Sequence, residues 1–402
     1  DRRGLIAEPA AGIAGHQQRE RAEVRRAIGV RDRVGRREQG VLEEPDGEQR
    51  VAAVEIGGRQ LGGRAEIREH ADAILSKQLA DGAIVHTQSG DQITISPYFG
   101  NYAALGLFEA YQITDDKKYL DGGIKWTDWY FKHMDLRGVI HDYAGTASKY
   151  TSTGEYDATD SYAATFLMCV NMRRMLTHDH RFVMRETGKI FGAHKAMLAT
   201  LDVDGLTFAK PDSPYKYVMD NAEVFEALWH SRQIAHLLRN YGWVHEVYYA
   251  RRDMKKAFEQ LRGDDGLYAW AKAGDAAVTV EDTGEFYPAG LANLFVVALG
   301  PAEWHQRQDT VLATYERFPV FADLPPDHLF WWVVAAQRVG RKDIALQAFE
   351  SMKEKVQTRG LAVDHAHYIR ALASIKHAHT GPKRTKVLMG STFIDIPRAA
   401  VR

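Results

Sequence analysis

SPYFGNYAALGLFEAY (96–111) followed by DDKKYLDGGIKWTDWYFKHM (115–134) is the stretch whose reading decides the fold. Past its first turn the first segment is apolar nearly all round, the pattern of a helix buried on both sides. The second carries charges at its start and an aromatic stripe, the pattern of a helix with one face in solvent. They read as a helical hairpin with an inner and an outer member. The pairing recurs along the chain. Inner TDSYAATFLMCVNMRRM (159–175) has outer partner 182–200, and DNAEVFEALWHSRQIAHLL (220–238) has 243–262. YPAGLANLFVVAL (287–299) has 302–317, and PDHLFWWVVAAQRV (326–339) has 341–357. An amphipathic stretch, 66–80, precedes the first inner helix, and 363–377 closes the set. Six hairpins, twelve helices, predict an all-α, closed (α/α)6 toroid with a pocket where the inner helices begin.

Those beginnings carry the chemistry-bearing residues: SPYFGN (96–101), YDATDSY (156–162), MDNAEVF (219–225), GEFYPAG (284–290), PPDHLFWW (325–332) and VDHAHY (363–368). Anchors at Asn101, Asp160, Asp220, Tyr287, Asp327 and Asp364 are spaced by 59, 60, 67, 40 and 37 residues. A second, smaller repeat explains the longer spacings. ADGAIV (80–85), LRGVIHDY (136–143), VDGLTFAK (203–210) and DDGLYAWAK (264–272) each place a glycine suited to a helix C-terminus before a short β-prone run. They lie just before inner helices one to four. One side of the rim is therefore built up and the other left low, which makes a cleft open on one side.

Composition divides the chain. All 42 aromatics lie at or after Tyr98, and the 14 arginines before Lys77 stand among Gly, Ala and Glu with no lysine. Such a segment buries too little to offset its ordering entropy, so 1–65 reads as a poorly ordered extension. A GC-rich gene translated from a wrong start or frame would give the same composition. Residues 66–378 form the toroid, and 379–402 read as an irregular tail. With 52 basic and 53 acidic residues there is no electrostatic case for nucleic acid or membrane. No 18-residue apolar run or signal-peptide pattern is visible, and the compartment stays unassigned. Cys169 alone excludes a disulfide framework and reads as a core residue.

Six hairpins with acids and aromatics at the inner-helix starts resemble the six-hairpin glycosidase superfamily, over about 72–378. Its members include family 8 endoglucanases and chitosanases, unsaturated glucuronyl hydrolases and family 76 mannanases. TDSYAATFL (159–167) is similar to the Asp-rich helix start of family 8, where the resemblance implies that Asp160 binds the sugar beside the scissile bond. The Ser-Glu-Gly segment of that family's general acid has no counterpart, since SPYFGNYAALG (96–106) is followed by its first carboxylate only at Glu109.

Glycoside hydrolysis generally needs two carboxylates flanking the bond. The expected set is Asp160 and Asp157 at one rim position, with Asp220 or Glu285 across the pocket, acting on an oligo- or polysaccharide. Tyr98, Tyr102, Asp142, Tyr143, Tyr162, Tyr287 and Trp331 are the expected sugar-binding residues, since pyranose C–H faces stack on such rings. An N-cap role is the competing reading for Asp160 and Asp220, with DNAE (220–223) as an acidic capping box. A lyase or epimerase using Tyr143, His365 or His367, or a non-catalytic glycan-binding toroid, are the alternatives. No cofactor is expected: HExxH, a P-loop and a convincing dinucleotide fingerprint are absent. The sugar, the linkage and the oligomeric state are not written in the sequence.

Overall fold

A computed structural model describes residues 63–377 and two further strands, Thr385–Met389 and Thr392–Ile396. The expected extension over 1–65 lies almost wholly outside the described residues.

The inner ring is made of α2 (Pro97–Thr114), α4 (Thr159–Thr177), α7 (Val218–Leu237), α9 (Leu291–Leu299), α11 (Pro326–Arg338) and α13 (Ala362–His377). Each packs on the next, and α13 packs back on α2, so the ring closes. Their all-round apolar sequences follow from this double burial: Phe108, Phe166, Leu228, Leu294, Val333 and Ile369 are all sealed from solvent. The outer helices are α1 (Arg64–Ser76), α3 (Lys117–His133), the pair α5 (His180–Arg185) and α6 (Thr187–Met197), α8 (Tyr241–Gln260), α10 (Arg307–Arg317) and α12 (Lys342–Arg359). Pro97 and Pro326 open their helices at positions where a missing N–H costs nothing. Asp116 and Asn240 cap α3 and α8 through Lys118 N at 3.2 Å and Trp243 N at 3.1 Å.

Three expectations need correction. The stretch 182–200 is not one helix. It breaks at Glu186, where the Thr187 hydroxyl donates to the carbonyls of Val183 at 2.8 Å and Met184 at 2.9 Å, competing with the backbone ladder. Inner helix four starts at Leu291 rather than Tyr287, because Phe286–Gly290 forms a π turn in which Tyr287 is extended; the Tyr287–Pro288 peptide is cis. Within the supposedly irregular tail, β8 (Thr385–Met389) and β9 (Thr392–Ile396) pair antiparallel, two β-prone runs on either side of Gly390-Ser391.

The four small insertions stand where the spacings put them. Gly82, Gly138, Gly205 and Gly266 all have positive φ, between +84° and +102°. Each leans on the next outer helix. A Cβ at Gly138 would lie 2.4 Å from the Gly192 carbonyl oxygen in α6, so no side chain fits there. The segments they launch build two small sheets on the rim. β1 (Thr87–Ser89) and β2 (Gln92–Ile95) join β3 (Tyr143–Thr146) and β4 (Lys149–Ser152), while β5 (Tyr215–Tyr217) joins β6 (Ala271–Ala273) and β7 (Ala276–Val278). Buried asparagines pin the third and fourth insertions from below. Asn221 accepts from Thr207 N at 2.8 Å and donates to its carbonyl at 3.0 Å, and Asn293 treats Tyr268 the same way at 2.7 and 3.2 Å. Lys216 of β5, 2% exposed, pairs with Asp202 at 2.6 Å and Asp204 at 2.9 Å, tying the third insertion to the second sheet.

Candidate active site

A cavity of about 880 Å³ opens where the inner helices begin. Every inner helix contributes to its lining. α2 brings Tyr98, Phe99 and Tyr102, and the start of α4 brings Ser161 and Tyr162 behind Asp157. α7 gives Met219 and Asp220, the π turn and α9 give Tyr287, Leu291 and Phe295, α11 gives Asp327, His328 and Trp331, and α13 gives His367. The first sheet adds Tyr143 and Ala144, with Asp142 and Glu155 just outside its strands.

Of the carboxylates expected in catalysis, Asp157 and Asp220 line this cavity and Asp160 and Glu285 do not. Asp160 is fully buried behind the wall. One of its oxygens accepts from Ser161 N at 2.8 Å and the other from the Thr207 hydroxyl at 2.6 Å. Glu285 is exposed in the loop before the π turn. Neither Asp160 nor Asp220 is an N-cap: those positions belong to Ala158 and Tyr217. β5 runs straight into α7, so the helix begins earlier than the Asp suggests and Asp220 falls inside its first turn. Glu223, the expected capping partner, is fully buried and instead accepts from the hydroxyls of Tyr98, at 2.8 Å, and Tyr102 on the same oxygen. All seven expected sugar-binding residues, Tyr98, Tyr102, Asp142, Tyr143, Tyr162, Tyr287 and Trp331, face the cavity. Trp332 turns away and packs on Phe286 and Phe321.

The carboxyls of this wall are pushed in opposite directions. Burial, then the neighbouring acids Asp160, Glu223 and Asp157, drive the Asp220 carboxyl well above its ordinary range. Burial raises Glu223 to about 8 against the two tyrosine hydrogen bonds, and it raises Asp142 as well. Asp327 goes the other way. Burial alone would raise it, but His328 and Arg359 outweigh that and hold it below the carboxylate range. Arg359 reaches Asp327 from the end of α12 at 2.5 Å and stands 3.5 Å from Asp364.

The histidines separate cleanly. His365 turns outward to α1, its Nδ1 2.8 Å from that of His70. His367 turns into the cavity, 3% exposed, stacked on Phe330 with centroids 4.3 Å apart, and neither ring nitrogen has a hydrogen-bond partner. Burial pushes it down to about 3, so it is neutral. Sequence alone places the two in one motif. Their two-residue spacing on a helix is what sends them to different faces.

The architecture has solved counterparts. A wild-type glycosidase superposes with a TM-score of 0.57 at 13% identity, over 78% of this chain and 96% of that one. An alpha-amylase from Clostridium perfringens gives 0.54 at 8%, over 78% and 98%. An unsaturated glucuronyl hydrolase specific for heparin gives 0.51 at 8%, over 78% and 97%. The chain has the six-hairpin toroid fold of these glycosidases. No protein-family model matches it, and no curated protein is similar to it. Among the described residues no helix is long and apolar enough to cross a membrane, and no three His, Cys, Asp or Glu side chains group to hold a metal ion.

Proposed function

We propose that this cavity hydrolyses a glycosidic bond of an oligo- or polysaccharide, with Asp220 as general acid and Asp327 as the ionised partner. One observation carries the reading: a single aromatic-walled cavity holds one carboxyl pushed up and one held down. Environments that split two carboxyls this way divide the acid from the base. Asp220 gives its proton to the glycosidic oxygen as the C–O bond breaks. Water adds to the anomeric carbon, its proton leaving to the Asp327 carboxylate. Asp157, beside Asp220, supplies negative charge that keeps the acid protonated. Tyr287, 57% exposed at the mouth, and Trp331 at the floor are the stacking surfaces. Asp160 acts from behind the wall as a positioning residue, holding Thr207 and through it the third insertion. A glycosidase bound to glucose is among the structural counterparts, at 14% identity and a TM-score of 0.56, and is consistent with a sugar in such a cavity.

The test is release of reducing ends from a panel of plant, fungal and bacterial polysaccharides, by the native chain beside its Asp220→Asn and Asp327→Asn variants. Reducing ends from one polymer, lost in both variants, support the assignment. Products absorbing in the near ultraviolet, unaffected by Asp220→Asn, would replace it with elimination chemistry in which His367 or Tyr143 moves the proton.

A further inference from the structure

The charged side chains of the cavity wall are all of one sign. Five carboxyl groups line it, Asp142, Glu155, Asp157, Asp220 and Asp327, with Asp220 as the proton donor, and no lysine or arginine does. Two would serve hydrolysis. Two cations stand behind the lining: Arg359 is spent on Asp327 and Asp364, and the Arg370 guanidinium lies 5.6 Å from the Tyr102 ring centre and 4.9 Å from that of Phe330.

Three tyrosines in the wall are also turned into acceptors. The hydroxyl protons of Tyr98 and Tyr102 are both committed to Glu223, and that of Tyr162 to Asp142 at 2.8 Å. A hydroxyl whose proton is committed offers only its lone pairs to a ligand. Carboxyl and phenol oxygens therefore both offer lone pairs to a ligand, beside the Asp220 proton donor. A second, independent feature favours a polar ligand. His367 brings two unpartnered ring nitrogens into the floor while 3% exposed, a desolvation cost that a bound polar group would offset.

We propose that the cavity selects a sugar bearing a protonated amine over its neutral counterpart, and rejects the corresponding uronate. The proposal rests on the reading of this cavity as a sugar site and names the substrate class. An ammonium group is compact, cationic and donor-only, which matches this wall. A uronate carboxylate is anionic and acceptor-only, which opposes it. The positive ends of the inner helices offset part of the carboxylate charge, so the preference is expected to be about tenfold rather than thousands.

The experiment uses monosaccharides, so that neither linkage nor turnover enters. Binding of glucosamine, glucose and glucuronate, and of galactosamine, galactose and galacturonate, is followed on the native chain by tryptophan fluorescence and ligand-observed NMR. In at least one trio the amino sugar is expected to bind about tenfold tighter than the neutral sugar, with no measurable binding of the uronate. The ratio of amino-sugar to neutral-sugar affinity should shrink in Asp157→Asn and as pH rises through the titration of the amine. Equal or tighter binding of the neutral sugar or the uronate in both trios overturns the proposal, as does absence of amino-sugar binding. Reducing-end release decides the hydrolase reading separately, so an enzyme active on neutral polymers would leave that reading standing and remove only this one.

Discussion

The two halves of the rim are built differently, and the site uses the difference. Above inner helices one to four the chain adds a glycine turn and a β segment each time, and these assemble the two small sheets. Above α11 and α13 it adds nothing. The high side supplies the carboxyls that burial and mutual repulsion push up, Asp142 and Asp220, with Tyr98, Tyr102 and Tyr162, whose hydroxyls are bonded to Glu223 and Asp142. The low side supplies Asp327, held down by His328 and Arg359, and the neutral His367. Walls concentrate acids and exclude water, which raises them. On the open side Arg359 holds Asp327 down, while burial raises Asp364, beside the same cation, to about 7. Within the cavity lining the two sides of the rim thus carry differently protonated acids.

The largest expected effect comes from breaking that difference at its high end. Asp220→Asn should lower kcat by about a thousandfold or more while the fold survives, because it removes the proton donor and little packing. Initial rates on the responsive polymer, with circular dichroism for the fold, measure it. A loss of less than about tenfold would move the acid elsewhere on the wall.

Stability should show the same asymmetry. Gly138 and Gly360, each following an outer helix on the high and the low side, both have positive φ, +85° and +62°, so alanine strains the backbone at either position. At Gly138 the new Cβ also meets the Gly192 backbone at 2.4 Å, whereas at Gly360 its nearest neighbour is the Gln357 carbonyl oxygen at 3.7 Å, an ordinary contact. Gly138→Ala is expected to cost about 3 kcal/mol and Gly360→Ala about 1 kcal/mol in urea unfolding. Equal costs would mean that the high side does not depend on its insertions leaning on the outer helices.

How much of this the sequence could tell follows from which interactions are local. The ring was legible because apolar periodicity is local: the starts of α4 and α11 fall within a residue of where the pattern puts them. The glycine turns were legible for the same reason. Asp160 and Asp220 were not separable, since both occupy the first turn of an inner helix behind a β-prone stretch. What separates them is Thr207, 47 residues from Asp160, which takes that carboxylate into the wall and leaves Asp220 to the cavity. The Arg359–Asp327 pair spans 32 residues from the end of one helix to the start of another. No spacing rule predicts it. Glu223 misled because an acid three residues after an Asp looks like a capping partner, while its real partners, Tyr98 and Tyr102, come from another hairpin.

The smallest expected effect is the sharpest test of the low side. The Asp327 carboxyl is held down by His328 and Arg359 against a burial effect of the opposite sign. Arg359 is not part of the cavity lining, so Arg359→Gln removes the cation and leaves the lining residues in place. With the cation gone, burial dominates and the carboxyl rises. A base that must be ionised then becomes available only at higher pH. The acid limb of the kcat/KM profile should therefore move upward by about one pH unit, with the alkaline limb, set by Asp220, unmoved. The same substitution leaves Asp364, already raised to about 7, without its neighbouring cation, so a modest loss of stability near neutral pH should accompany the shift. A displaced acid limb with an unchanged plateau assigns the base to Asp327. An acid limb that stays in place, with only stability lost, makes Asp327 a structural partner of Arg359 and returns the base to Asp157 on the high side.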